Sequence, residues 1–517
     1  MMGEAGSRPS WLLVGSWVLL AGICLFPYLA GVVAMNDEVA LVYHLNGATS
    51  LSGEDIGRWV WTYKFFRPLD QLLAPYLVDA LSRDARIAML LHLPGLLGLI
   101  VVASYWTLRL IPGEPLVVPA MLIALAMSTG TSLSLWQLDT STQTWSAAVG
   151  IWQLGLVWLV AQERMSGAPG PSLWLLAAVG LLGVLTKETF IGWAAVSVLL
   201  LLLCWLRSRK LPLQASVLRW SQALLAAGLI PGLFLMSRLL STKLGEVAVH
   251  GEGHYGVHIG ANLFKNAALS VLGFFPNGPT HTIFGLQSAP SWVRVMSPIT
   301  LACCLSLILM PWLYSRLLKQ EYPLSKRAAV YVAALLCFLA SAVVWPTRQI
   351  SEVNLFGPNL GGALLVALGV VDARRVLSAA GSSGAAVRVA RGILWGTVAA
   401  ALVLLSLGLV SRGRHMAVSW HWVVELKQSI RTHQLSLPEG KFDGGVFIPV
   451  SCQGDGSGYS QIILSPERAL RPARTLWWLN YENPGRRIYA YRLSPEEKLT
   501  ARDMILPCDT LQRRPWW

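Results

Sequence analysis

Asp37 and Glu38 stand side by side in Met35-Asn36-Asp37-Glu38, where a long apolar run gives out. A carboxylate pair at a hydrocarbon boundary can take up a proton, coordinate a divalent cation, or do no more than cap a helix end in water. A second charged pair, Lys187-Glu188, interrupts the apolar stretch around Thr186 and Phe190. Ionisable groups at such a position are costly unless they face a polar cavity or each other. The pair therefore either neutralises itself or lines a site. Arg348 and Glu352 form a third charged set, between two further apolar stretches. Arg67 directly precedes Pro68, and Leu69, Leu72, Leu73, Tyr76, Leu77 and Ala80 follow at helical spacing. That pattern reads as an amphipathic helix lying at a membrane surface, with Pro68 in its first turn. On the plainer reading Arg67 snorkels to lipid phosphate.

The elements that must position these residues follow from composition. The 517-residue chain is 54% hydrophobic and only 13% charged, which places it among polytopic membrane proteins and excludes a soluble catalytic core. Apolar segments of membrane-crossing character lie at 11–33, 87–108, 116–135, 144–160, 173–185, 190–206, 224–240, 295–313, 328–344, 355–371 and 392–410. They predict about eleven transmembrane helices. The pair flanking Lys187-Glu188 is short, and one broken helix is the alternative to two spans there.

Charge sets the expected orientation. With the N-terminus inside, alternate turnarounds carry Arg109, Arg164, the Arg207-Ser208-Arg209-Lys210 cluster, then Arg316, Lys319, Lys326 and Arg327, and finally Arg374, Arg375, Arg388 and Arg391. This is a positive-inside pattern, and the net charge of +14 is mostly that topology signal. Basic residues spread over short loops make no nucleic-acid surface. The segments 34–86, 241–294 and 345–354 and everything after Val410 then fall outside the cytoplasm, and with them Asp37, Glu38, Arg67, Lys187, Glu188, Arg348 and Glu352. Three separated parts of the chain are thus expected to converge at one membrane face with carboxylates and cations.

Two domains are expected: a transmembrane body over 1–410 with outer loops 34–86 and 241–294, and a small α/β domain over 411–517. The second has a helix-like run at 420–430 and strand-like runs at 445–450, 475–480 and 487–492. Of seven cysteines, Cys24, Cys204, Cys303, Cys304 and Cys337 fall in apolar helices as small fillers. Cys452 and Cys508 remain, both in the C-terminal segment, and are predicted to form a disulfide in an oxidising compartment. His250, His254 and His258 recur at four-residue spacing, but Gly251, Gly253, Gly256 and Gly260 argue against the helix a metal site would need. A zinc site, a substrate-covering loop and an ordinary polar loop all remain open for them.

The order of Asn36-Asp37-Glu38 with Asn46 after it, Phe65-Phe66-Arg67-Pro68-Leu69, Thr186-Lys187-Glu188 and Ser351-Glu352-Val353-Asn354-Leu355-Phe356-Gly357-Pro358-Asn359 resembles the GT-C superfamily of polytopic glycosyltransferases that use lipid-linked sugars. Within it the pattern is nearest the protein O-mannosyltransferase and aminoarabinose transferase type. The acidic pair departs from that pattern, being Asp-Glu where the motif has Asp-Asp. The resemblance implies transfer of a sugar from a polyprenyl-phosphate carrier to a glycan, lipid or protein hydroxyl, with inversion, at the periplasmic face of a bacterial inner membrane. Asp37 would be the base and Glu38 its assistant. Arg67, Lys187 and Arg348 would bind the departing phosphate. Glu188 and Glu352 would hold those cations or bind sugar hydroxyls, with the histidine loop 250–258 beside the substrate. No cofactor is required by this reading, although a divalent cation on Asp37 and Glu38 stays open. Two rivals are a transporter or flippase of lipid-linked glycans and an O-antigen ligase or polymerase. The first predicts repeated halves, which the sequence lacks; the second is kept open by the histidine-bearing outer loop.

Overall fold

In the computed structural model the described residues are 11–29, 92–136, 141–166, 170–208, 213–243, 260–275, 291–322, 324–347, 350, 352–381, 384–431, 445–449 and 487–491. The chain is mainly helical, as an apolar polypeptide in hydrocarbon must be to satisfy its own backbone groups. The helices are α1 (Trp11–Leu29), α2 (His92–Leu110), α3 (Val117–Met127), α4 (Thr129–Trp136), α5 (Ser141–Ser166), α6 (Leu173–Thr186), α7 (Phe190–Arg207), α8 (Leu213–Lys243), α9 (Ala261–Phe274), α10 (Ser291–Leu317), α11 (Leu324–Leu339), α12 (Phe356–Ala379) and α13 (Ala385–Arg431). Short 3-10 turns occupy Ala340–Val344 and Glu352–Leu355.

Every apolar segment marked in the sequence overlaps a helix. Among the described residues, 6 helices are long and apolar enough to cross a membrane, in α5, α7, α8, α10, α11 with its 3-10 end, and α13; shorter apolar helices lie at Leu13–Ile23, Pro94–Leu110, Val117–Met127 and Leu173–Thr186. The chain is a mainly helical polytopic membrane protein.

Two segments differ from their expected form, and one open alternative is decided. The segment 116–135 is two helices, because Ser128 is extended (φ −71°, ψ 151°) and its hydroxyl donates to Leu125 O and Thr131 Oγ1 (2.7 and 2.8 Å). The helices flanking Lys187-Glu188 form a hairpin. Pro231 of α8 lies beside Gly180 of α6, and one turn away Gly228 of α8 meets Val198 of α7, so α6 and α7 pass α8 at the same level. α13 runs unbroken through Val410 and absorbs the helix-like run at 420–430. Its 47 residues reach about 70 Å, more than twice a hydrocarbon core of about 30 Å. Beyond it, the strand-like runs at 445–450 and 487–492 are strands: β1 (Gly445–Pro449) and β2 (Arg487–Tyr491) pair in parallel, Gly445 opposite Arg487. The run at 475–480 lies outside the described residues.

α12 is the centre of the bundle, packed on α3, α9, α10, α11 and α13. Helices in lipid gain little from the hydrophobic effect and associate by close van der Waals contact at small residues. α12 does so with glycines: a methyl group on Gly361, Gly362 or Gly369 would strike the carbonyls of Ala334 in α11, Phe274 in α9 and Leu307 in α10. Cys204, Cys304 and Cys337 are thiols buried within the helices, and Cys303 is a half-buried thiol.

At the C-terminal end of α12 a buried ion pair fixes α11 to it. Arg327 donates through Nε and Nη2 to the two carboxylate oxygens of Asp372 (3.0 and 2.6 Å), with both side chains almost wholly buried. The Tyr322 hydroxyl donates to Asp372 Oδ2 (3.1 Å) and lies 3.1 Å from that of Tyr331. Burial, then the Tyr331 hydrogen bond and the Asp372 charge, push the Tyr322 phenol up, so it remains a donor. Arg375 extends the network to Glu114 in the turn before α3. The basic turnarounds at Glu114, Tyr322–Arg327 and Asp372–Arg375 therefore meet at one end of the bundle. Asp372→Asn will leave the Arg327 guanidinium buried without its counter-charge and cost about 3–5 kcal/mol. Melting of the purified protein in detergent checks this: the single variant is expected to melt well below wild type, and Arg327→Met/Asp372→Leu to recover most of the loss. An unchanged melting point in Asp372→Asn would contradict it.

Candidate functional site

Lys187, Glu188 and Thr189 are the whole turn of the α6–α7 hairpin. Lys187 leaves helical geometry (φ −162°, ψ 147°), its N–H still bonded to Gly183 O. The carbonyls of Lys187, Glu188 and Thr189 then accept from Phe190, Ile191 and Gly192 and start α7. A three-residue turn can be this tight because the Phe190 ring lies flat on Gly183, where any side chain would displace it. Lys187 is buried at 6% exposure, although it stands between two membrane helices.

Thr189 joins this turn to a distant part of the chain. Its hydroxyl donates to Gln143 Oε1 (3.1 Å) and lies 3.4 Å from Ser146 Oγ. The other end of the same amide, Gln143 Nε2, donates to Asn354 Oδ1 (3.3 Å) in the 3-10 turn Glu352–Leu355. One side chain from the first turn of α5 thus bridges the Lys187-Glu188 turn and the turn that begins at Glu352. A cavity of about 20 Å³ lies between them, lined by Gln143, Thr189, Ser341, Asn354, Trp193 and Gly357 among others. That is room for about one water molecule.

The surrounding polar groups hold the backbone on either side of this point. Asn266 of α9, fully buried, donates from Nδ2 to the carbonyls of Trp345 and Thr347 (2.9 and 2.7 Å). The Trp345 indole donates to Ser270 Oγ (2.9 Å) one turn along α9. Asn359 accepts from the Thr131 N–H of α4 (3.3 Å) and donates to the Gly273 carbonyl. These contacts fix the chain directly before position 348 and directly after the Glu352 turn. From Asn359 to Asp372 is about 20 Å along α12, so this polar layer and the Arg327–Asp372 pair occupy opposite ends of the bundle. α13 leaves the basic end, where Tyr314 donates to Ala390 O (2.8 Å), and so its far end emerges on the side of the polar layer.

Of the residues singled out in the sequence, Lys187 and Glu188 lie in the turn whose Thr189 is joined through Gln143 to Asn354 in the turn that starts with Glu352. Asp37, Glu38, Arg67, His250, His254, His258, Arg348, Cys452 and Cys508 lie outside the described residues, as does the side chain of Glu352. Among the described residues no group of three or more His, Cys, Asp or Glu is placed to hold a metal ion. Gln143, Ser146 and Asn266 were not singled out, and Asn354 entered only within the Ser351–Asn359 motif. The signal for them was present: an amide in the first turn of an apolar helix raises the same desolvation cost that drew attention to Lys187.

No family model matches the sequence, and no curated protein is similar to it. Among solved structures, the archaeal oligosaccharyltransferase AglB from Archaeoglobus fulgidus, in complex with an inhibitory peptide and a dolichol-phosphate, is similar at 12% identity and a TM-score of 0.44. The match covers 93% of this chain and 64% of that one, so the chain spans less than two thirds of that protein's length. A likeness at this level carries no argument about fold or activity.

Gln143→Leu removes both halves of the bridge and leaves Thr189 and Asn354 to find other partners. The expected cost is about 1–3 kcal/mol. It is read as faster amide hydrogen exchange confined to 187–192 and 352–357, with the Tyr322–Arg327 region unchanged. Equal exchange in wild type and variant would remove Gln143 from this role.

Proposed function

We propose that the chain is a GT-C-type glycosyltransferase that moves a sugar from a polyprenyl-phosphate carrier to an acceptor hydroxyl, on the membrane face opposite its basic turnarounds. The observation that carries this reading is the hydrogen-bonded chain Thr189–Gln143–Asn354, which joins the Lys187-Glu188 turn to the Glu352 turn at one end of the bundle. Neutral amides and hydroxyls beside a lysine and a glutamate suit a ligand that carries both sugar hydroxyls and a phosphate.

In the proposed reaction the acceptor oxygen attacks the anomeric carbon from the face opposite the phosphate. Its proton passes to the Asp37 carboxylate, with Glu38 orienting that group. The bond from the anomeric carbon to the phosphate oxygen breaks, its electron pair stays on the phosphate, and the configuration inverts. Arg67, Lys187 and Arg348 meet the charge that develops there, the two guanidinium groups as forks and the ammonium as a point charge. Glu188 and Glu352 orient those cations or bind sugar hydroxyls. In this reading the carboxylates follow an apolar run in the sequence because the donor's reactive bond is anchored at that depth by its lipid. In this reading the membrane is a bacterial inner membrane, the face is periplasmic, and 411–517 is an α/β domain on that side, closed by Cys452–Cys508.

The test is sugar release from a panel of polyprenyl-phosphate sugars by the purified full chain, wild type against Asp37→Asn. The substitution keeps shape and hydrogen bonding while removing the base. Turnover of one donor by wild type, reduced at least about 100-fold in the variant with melting unchanged, is the expected result. A chelator arm separates the carboxylates acting alone from the pair acting around a divalent cation. Equal turnover in both proteins would take Asp37 out of the mechanism; absence of turnover with every donor, in membranes that supply acceptors, would overturn the reading.

A further inference from the structure

The helix α9 is amphipathic in the sense opposite to that of a helix in water. Its buried stripe is Asn266, Ser270 and Gly273, at i, i+4 and i+7, while the far side carries Phe264, Ala268, Val271 and Leu272. Phe264 is 75% exposed and Val271 48%. Polar groups turned toward the bundle and apolar ones turned away from it suit a surrounding of hydrocarbon. Lys265, the one charged residue of α9, is exposed near the start of the helix, where its long side chain reaches up to a headgroup layer.

α9 also points into the bundle. Asn266 holds the carbonyls of Trp345 and Thr347, Ser270 accepts from Ser341 Oγ (3.5 Å), and the Phe274 ring meets that of Phe338 edge-on, with centroids 5.7 Å apart. These contacts step backward along the 3-10 end and α11, from the polar layer toward the basic end. The Phe274 carbonyl lies against Gly362, which is about 9 Å along α12 from Phe356. α10 runs in the same direction as α12, with Leu307 against Gly369, so Ser291 stands roughly 13 Å back from Phe274 toward the polar layer. The chain therefore descends through α9 and starts α10 from the end at which it entered. A helix that stops in hydrocarbon leaves carbonyls to satisfy, and Asn359 Nδ2 donates to that of Gly273.

We propose that α9 is a re-entrant half-helix seated in the membrane leaflet on the polar-layer side, with its Phe264–Val271 face on lipid acyl chains. Its 14 residues reach about 21 Å, too short to cross a hydrocarbon core of about 30 Å. What assigns the face to lipid is continuity with a surface that already meets it. Phe338, on which Phe274 packs, lies one turn from Leu335, and Leu335 is 54% exposed on a helix long and apolar enough to cross the membrane. On its other side α9 holds the backbone directly before position 348 through Asn266. The depth of α9 in the leaflet and the placement of that backbone are thus tied: a shift of one moves the carbonyls of Trp345 and Thr347 or breaks their bonds. The inference does not depend on the donor class.

The test places a nitroxide at Phe264→Cys, Ala268→Cys or Val271→Cys of the full chain, in a cysteine-free background in phospholipid nanodiscs. All three side chains are exposed, so the label displaces no packed group. Collision with oxygen, which concentrates in hydrocarbon, is compared with collision with a water-soluble nickel chelate. Leu335→Cys is the lipid reference and Glu321→Cys, exposed at the basic end, the water reference. Val271→Cys is expected to match Leu335→Cys, with high oxygen and low nickel access. The oxygen-to-nickel ratio is expected to fall from Val271 through Ala268 to Phe264, because these labels span about 10 Å along the helix. Nickel access at all three sites equal to that of Glu321→Cys would put α9 in water and overturn the proposal. Low access to both reagents would put the face under protein, a second copy or the segment 411–517, with the same consequence. One ratio shared by all three sites would lay the helix flat at the membrane surface and remove the re-entrant geometry.

Discussion

Gln143 uses both ends of its amide, accepting from Thr189 and donating to Asn354, and so ties two chain segments far apart in sequence to one helix end. In water such hydrogen bonds would be worth little, because each group would exchange its partner for solvent. At the end of an apolar bundle the alternative partner is scarce, so an amide, two hydroxyls and a second amide find one another. The same constraint explains why Asn266 spends its Nδ2 on two backbone carbonyls and why Asn359 joins α4, α9 and α12. Several of the described polar groups at this end hold chain positions next to the charged turns.

A polar layer of this kind needs a frame that does not shift. α12 supplies it, since its glycines bring backbone against backbone and its far end is tied to α11 through Arg327 and Asp372. The buried pair is not by itself a source of stability, because desolvation offsets much of its attraction. Its effect is on register: a bidentate guanidinium–carboxylate contact has one good geometry, and a slide of α11 along α12 would lose it. The two ends of α12 therefore divide the work, one fixing the helices and the other presenting Asn354, Phe356 and Gly357 to the candidate site.

Hydropathy located the helices long and apolar enough to cross a membrane, because lipid-facing surface is read directly from composition, but not α9, which lies within the expected outer loop 241–294. It did not show that Ser128 divides one segment into two, since that break depends on a hydroxyl finding Leu125 O and Thr131 in place of a helical turn. Nor did it decide between a hairpin and a broken rod at Lys187-Glu188, a choice made by Gly180 and Gly228 packing on neighbours at one level. Charge drew attention to Lys187, Glu188, Arg348 and Glu352, and the turn that holds the first two is joined to the Glu352 turn through Thr189, Gln143 and Asn354. Gln143 and Asn354 carry no charge, and what joins them is a contact between residues 211 positions apart that no local pattern announces.

The proposed site requires the charged segments of the chain to meet at the Gln143 end of the bundle. Cysteine cross-linking in native membranes tests it most directly, using a cysteine-free background and a short bis-maleimide. Thr189→Cys/Asn354→Cys is the reference pair, since both residues hydrogen-bond to Gln143. The account predicts that Asp37→Cys/Glu188→Cys cross-links about as efficiently as the reference, while Asp37→Cys/Glu114→Cys, with its second cysteine at the basic end, does not. A reference pair that links and an Asp37–Glu188 pair that does not would place the acidic pair away from the Lys187 turn and contradict the account.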